Sequence, residues 1–181
     1  MVPAIPLKRK FDVSELVSQI DASQEIWNQY TERTDSPSSP HREVDDVWYR
    51  YCARDNFQHC HEPHKSVWYP QADVTPAVYD IVERVCHEVH VETLGGVLMT
   101  RIPPGKNVYP HVDGGWHADY YDKICVSIKA NKYQAFSFPG VNHVSEPGDA
   151  FWFENSIEHW VTNPSDEERI SLIICLRQAG E

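Results

Sequence analysis

Apolar residues are spaced in two different ways along this chain. In the first half they recur every three to four residues. Val13, Leu16, Val17 and Ile20 fall on one face of a helix predicted over residues 12–20, with Asp12 placed to cap it and Glu15 three residues on. Val78, Ile81, Val82, Val85 and Val89 make the buried stripe of a second helix over 76–90, with Thr75 at the N-cap and Pro76 in the first helical position. Gly95-Gly96 is expected to end that region. Between the helices, Thr34 to Pro40 has the turn chemistry of a loop, expected to be mobile and too short to divide two domains. Val44 to Tyr51 is an aromatic-rich strand candidate, and Arg54 to Tyr69 reads as a long loop.

From Val97 onward the spacing shortens to the alternation of strands. Strands are predicted at 97–102, 108–113, 124–130, 134–139, 150–153, 157–162 and 169–176. Pro103-Pro104-Gly105, Gly114-Gly115, Pro139-Gly140, Pro147-Gly148 and Asn163-Pro164 separate them. Helices followed by many short strands predict a mainly β fold with N-terminal helices, in the form of a jelly roll. A single domain over residues 1–181 is expected, with 1–94 a helical and loop buttress and 95–177 the β core.

Composition narrows the function classes. A hydrophobic content of 41% suits a globular chain, and no apolar run approaches the roughly 18 residues of a membrane span. A formal net charge of −11 makes a nucleic-acid partner unlikely, since such proteins need a basic footprint. The five cysteines are spread out and odd in number, and no apolar stretch follows the basic Lys8-Arg9-Lys10. Free thiols in the cytoplasm are the expectation.

The candidate chemistry lies in His111, Asp113, His159 and Arg169. Two histidines and a carboxylate suit Fe(II), and also Mn(II) or Zn(II); the residues alone do not choose. On a strand, His111 and Asp113 at i and i+2 would point to the same side. His159 comes much later, on a strand expected to face them across the barrel. Arg169 and Ser171 share one face of the last strand, opposite Ile170, Leu172, Ile174 and Leu176. A guanidinium inside an apolar barrel calls for a carboxylate, which arginine grips bidentately and Ser171 can assist. The competing reading puts Arg169 at the surface, paired with Glu167 or Glu168.

Arg101-Ile-Pro-Pro-Gly105, Tyr109-Pro-His-Val-Asp113, Glu146-Pro-Gly-Asp-Ala-Phe-Trp-Phe-Glu-Asn155, His159-Trp-Val-Thr-Asn163 and Arg169-Ile-Ser171 together resemble the Fe(II)/2-oxoglutarate dioxygenases. The resemblance is closest to the aspartyl/asparaginyl β-hydroxylase-like branch and spans about residues 95–177. It implies a cupin-like double-stranded β-helix that uses Fe(II), 2-oxoglutarate and O2. His111, Asp113 and His159 would hold the metal. Arg169 and Ser171 would hold the distal carboxylate of 2-oxoglutarate. The implied reaction hydroxylates an unactivated C–H bond of a small molecule, such as an amino acid, or of a peptidyl Asp or Asn side chain, and releases succinate and CO2. The chain departs from the branch in two places. Asp113 supplies a carboxylate that animal members commonly lack. The stretch Tyr120 to Ile124 has neither the arginine nor the histidine expected beside the metal-side carboxylate of the cofactor. A non-catalytic cupin-like metal-binding or ligand-sensing module is the alternative reading.

Other residues are weaker candidates. Cys52, His59, Cys60, His61 and His64 match no zinc signature and read better as a substrate-facing loop or as surface residues. His117 and His143 are spare imidazoles. Trp116, Tyr120, Trp152 and Trp160 either wall a site or fill the core, with core favoured for Trp152. Lys123 and Tyr133 are candidate cofactor contacts. Arg50 and Arg101 are candidate anchors for an acidic substrate, and Asp149 is a turn residue.

Overall fold

The last strand shows how both faces of one sheet come to be buried. Ile170, Leu172, Ile174 and Leu176 are all completely buried, and they pack beneath two helices. Ser171, Ile173 and Cys175 point the other way, into the barrel. Each fully buried aliphatic side chain stabilises the fold by roughly 1.5–3 kcal/mol, so this strand anchors two cores at once.

The computed structural model describes residues 2–178 and Gly180. Among them are eleven strands: β1 (Ala4–Pro6), β2 (Asp45–Cys52), β3 (Ser66–Trp68), β4 (Val91–Ile102), β5 (Asn107–His111), β6 (Asp122–Lys129), β7 (Ala135–Phe138), β8 (Val141–His143), β9 (Ala150–Phe153), β10 (His159–Thr162) and β11 (Arg169–Gln178). A seven-stranded sheet runs β1-β9-β6-β11-β4-β2-β3 and a four-stranded sheet runs β5-β10-β7-β8. All the pairings are antiparallel. This is the jelly roll that the strand spacing predicts, in the form of the double-stranded β-helix that the resemblance implies. Ile102, Cys125, Phe151 and Phe153 of the large sheet meet Val108, Phe136, Phe138 and Val161 of the small one in the barrel interior.

The helices cover the outside of the large sheet. They are α1 (Ser14–Ala22), α2 (Gln71–Val74), α3 (Ala77–Glu88) and, by the barrel mouth, α4 (Trp116–Tyr120). Leu16 and Ile20 of α1 and Val78, Ile81, Val82 and Val85 of α3 are buried, as their spacing predicts. The helix starts differ from expectation. The Asp12 carboxylate accepts from the backbone N–H and hydroxyl of Ser14, so the turn lies ahead of α1 rather than within it. Thr75 does not cap α3, because its hydroxyl pairs with that of Tyr49 in the core, 2.8 Å away. The first N–H of α3, on Ala77, is met instead by the Gln19 side chain of α1 at 2.9 Å.

Gly95-Gly96 does not end a region. Both lie inside β4, which starts at Val91. A Cβ on Gly95 would stand 3.0 Å from the Tyr121 ring, and one on Gly96 would stand 3.2 Å from His117 and 3.3 Å from Tyr51. The pair lets aromatic rings lie flat on the strand, a role that sequence spacing does not distinguish from a turn. The 34–40 loop is tied down rather than free, with the Tyr109 amide donating to the Pro40 carbonyl at 2.8 Å. Three short strands, β1, β3 and β8, have no counterpart in the predicted pattern.

Gly148 is a position where only glycine fits. Its φ is +87°, and an added Cβ would fall 2.3 Å from the Phe11 carbonyl oxygen. Gly148→Ala is therefore expected to destabilise the protein by at least about 2 kcal/mol. A shift of the urea midpoint with unchanged slope would show it, and an unshifted midpoint would contradict the account.

Candidate metal and cofactor site

The three ligand candidates meet at one end of the barrel. His111 ends β5 and His159 opens β10, and the two are directly opposite each other as neighbours in the small sheet. They do not face each other across the barrel; the long intervening sequence leaves the small sheet and returns to it. Asp113 lies just past the end of β5 rather than on the strand, because pairing stops at His111. Its backbone N–H donates to the Asn155 carbonyl at 3.1 Å, which fixes the turn. One potential ligand atom from each of the three residues lies within 4.8 Å of the others. No second group of that kind occurs among the described residues.

Hydrogen bonds set the imidazoles for metal binding. Each Nδ1 lies 2.8 Å from a backbone carbonyl, that of Tyr109 for His111 and that of Ile157 for His159. Nδ1–H therefore donates, and the Nε2 lone pair is left free. Both Nε2 atoms lie 3.6 Å from an Asp113 carboxylate oxygen. Burial favours neutral His159, partly offset by its bond to Ile157 and by Asp113. Burial would raise the Asp113 pKa, but His111, Lys123 and His159 together outweigh it and hold the carboxyl well below its usual range. Two neutral nitrogens and one carboxylate suit a hard-to-borderline divalent metal such as Fe(II).

Arg169 occupies the inner face of β11, two residues from Ser171. It is completely buried, and its Nε and both Nη atoms have no hydrogen-bond partner among the described residues. The surface alternative is excluded, since Glu168 pairs with Lys129 and the Glu167 carboxylate accepts from Asn131. Burial pushes the Arg169 pKa down, with only the Cys125 thiol opposing. A bare guanidinium is costly there unless a carboxylate joins it.

A cavity of about 570 Å³ reaches the ligand group. His111, Asp113, His159, Lys123 and Ser171 line it, as do Phe136 and Phe153, and its size is typical of a small-ligand site.

A model of the family described as Aspartyl/Asparaginyl beta-hydroxylase matches residues 14–178. The chain belongs to that family. It is accordingly a 2-oxoglutarate-dependent hydroxylase, of a class that works with Fe(II), 2-oxoglutarate and O2. No curated protein matches it in sequence. Among solved structures it is similar to an oxidoreductase of the 2OG-Fe(II) oxygenase family from Burkholderia pseudomallei. That match has a TM-score of 0.64 and 11% identity over 97% of this chain and 85% of the other. It is also similar to the viral collagen prolyl hydroxylase of Paramecium Bursaria Chlorella virus-1, solved with 2OG, with a TM-score of 0.55 and 14% identity over 98% and 97% of the two chains. At these identities the likeness is one of fold.

The remaining candidates divide clearly. Lys123 of this hydroxylase is in the cavity, donating to Asp113 at 2.5 Å. Tyr133 is not; it is 64% exposed in a surface hollow beside Lys132 and Glu146. Arg101 is consumed by Asp45 and Gln24 and lies over Trp27, so it anchors no substrate. Arg50 reaches the cavity, donates to the Leu94 carbonyl at 3.2 Å and leaves Nε unpartnered. Trp116, Tyr120, Trp152 and Trp160 do not line the cavity, and Trp152 packs against the helix-side core. His143 packs against Phe151, and burial first and then Arg169 push its pKa down, with Asp149 opposing. Asp149 accepts from the Glu146 amide, as a turn residue does. In the histidine-rich segment, His61 lines the cavity and His64 stacks on His117. All five cysteines are free. No described helix is long and apolar enough to cross a membrane.

The structure adds His41, which no sequence signal marks. It is buried, lines the cavity and sets its ring edge-on to His111 at 4.7 Å. His117 is half-buried, with desolvation first and then the Lys123 and His64 charges holding its pKa down to about 3. Folding therefore prefers neutral His117, while the unfolded chain takes up a proton below about 6.5. Its stability contribution is complete above that pH and is lost as pH falls toward 3. His117→Phe should reduce the acid-side slope of stability against pH by up to about 1.4 kcal/mol per pH unit. Urea midpoints measured between pH 4 and 7 would show it, and an unchanged slope would mean that His117 is solvated.

Proposed function

We propose that the protein hydroxylates an unactivated C–H bond of a small molecule, such as an amino acid, or of a peptidyl aspartyl or asparaginyl side chain, releasing succinate and CO2. In this reading His111, Asp113 and His159 hold Fe(II), and Arg169 with Ser171 holds the distal carboxylate of 2-oxoglutarate. Bound there, metal and keto acid supply the activation of O2 that no side chain provides.

The protein's share is orientation and exclusion. The Tyr109 and Ile157 carbonyls keep both Nε2 atoms free for the metal. Phe136 stacks on His159, with Phe153 at 5.5 Å, and the two rings keep water from that side of the centre. Residues 1–94 act as the buttress and as part of the substrate site. Arg33, His41, Trp48, Tyr51 and His61, which line the cavity, support that assignment.

The observation that carries the reading is the orphaned guanidinium of Arg169 on the same strand face as cavity-lining Ser171. The test is anaerobic titration of apo-protein with Fe(II) and then 2-oxoglutarate, following the visible metal-to-ligand charge-transfer band. A band in wild type that is lost in His111→Ala and Arg169→Met, followed by substrate-dependent succinate release, is expected. No band, together with tight binding of another metal, would sink the reading in favour of a non-catalytic ligand-binding barrel.

A further inference from the structure

We infer that Lys123 is the group that binds the metal-side carboxylate of the keto acid, an assignment that rests on the cofactor site proposed above. Lys123 sits on β6 between the two strands that wall the cavity. Its Cα is paired with Cys175 of β11 on one side and with Phe153 of β9 on the other. The side chain is 13% exposed and lines the cavity. Its ammonium has three N–H donors and, among the described residues, makes one hydrogen bond, to Asp113 Oδ2 at 2.5 Å. That same oxygen lies 3.6 Å from His159 Nε2. The ammonium therefore stands at the edge of the ligand group with donors to spare for a carboxylate bound there.

Charge accounting points the same way. The cofactor would bring two carboxylates into a site whose own anion, Asp113, is paired with Lys123 and would also hold the metal. Arg169 can answer one of them. Of the other cavity arginines, Arg33 is engaged elsewhere, while Arg50 keeps an unpartnered Nε but touches none of the ligand candidates. Arg33 forks onto both oxygens of Asp46 and also bonds Thr100, and Arg50 reaches the Leu94 carbonyl and lies over Trp68. Desolvation first and then the Lys123 charge hold the pKa of half-buried His117 down to about 3, so it supplies no charge near neutral pH. Lys123 is thus the cavity cation in direct contact with the ligand group and able to meet the second carboxylate, and it holds Asp113 in place while doing so.

The experiment measures binding to Mn(II)-loaded protein by calorimetry, so that no turnover enters. Three probes are compared: 2-oxoglutarate, 2-oxobutyrate (which lacks the distal carboxylate) and 4-oxopentanoate (which lacks the metal-side one). Lys123→Met should weaken 2-oxoglutarate and 2-oxobutyrate by about tenfold or more, the worth of a charge-assisted hydrogen bond, and leave 4-oxopentanoate within about twofold. Arg169→Met should do the reverse, sparing 2-oxobutyrate. Lys123→Gln keeps a donor to Asp113 without the charge and carries the same test if Lys123→Met does not fold. Unchanged 2-oxoglutarate affinity, equal weakening of all three probes, or a loss confined to Mn(II) would overturn the assignment and leave Lys123 as a support for Asp113 alone. Failure of the cofactor reading would look different, because metal-loaded wild type would itself bind no 2-oxoglutarate.

Discussion

Arg169→Met should leave the apo-protein at least as stable as wild type while removing most of its affinity for 2-oxoglutarate. The two halves of this result have one cause. In the wild type a full positive charge lies in the barrel with three unpartnered nitrogens. Replacing such a charge with an apolar group of similar volume is commonly neutral or stabilising by about 1–4 kcal/mol. Taking away one partner of a buried ion pair costs about 2–5 kcal/mol of binding, which puts the loss of 2-oxoglutarate affinity between about 30-fold and about 5,000-fold. Thermal unfolding with and without ligand reads both. At a ligand concentration of 100 Kd the wild type should gain about 2.7 kcal/mol, and the variant should gain almost nothing. An apo variant that melts well below wild type would show that Arg169 holds the barrel together instead.

Asp113→Ala should abolish turnover and lower Fe(II) affinity by at least about 10²-fold, beyond the loss typical of outer-shell changes. In the proposed site it would remove the anionic ligand and at the same time strand the Lys123 ammonium beside the metal. The second effect can be separated from the first. In the Asp113→Ala/Lys123→Met double variant the repulsion is gone, so metal affinity should recover in part, a coupling that a double-mutant cycle measures. Metal binding and turnover that survive Asp113→Ala would remove this residue from the site.

What the sequence made legible follows from the range of the forces involved. Period-2 and period-3.6 patterns are local, so α1, α3 and most of the strands could be read from Val, Ile and Leu spacing alone. Arg169 and Ser171 could be placed inside the barrel because β11 alternates over its whole length. The misplaced features all depend on distant partners. Gly95-Gly96 looked like a stop because the rings of Tyr121, His117 and Tyr51 that lie on it come from other segments. Thr75 looked like a cap because its true partner, Tyr49, lies 26 residues away. His41 was invisible because its meaning comes only from His111, which is brought alongside by the bond between Tyr109 and Pro40. Three-residue strands such as β1 and β3 are too short to show a period at all.

Those two short strands are the outermost members of the large sheet. A long exposed margin would invite another chain to add itself, and a three-residue margin offers little to pair with. β1 shields β9, where it lies across from Phe151, Trp152 and Phe153, and the two phenylalanines belong to the barrel interior. Solubility and the integrity of the cofactor chamber therefore both depend on a segment that takes no part in the chemistry.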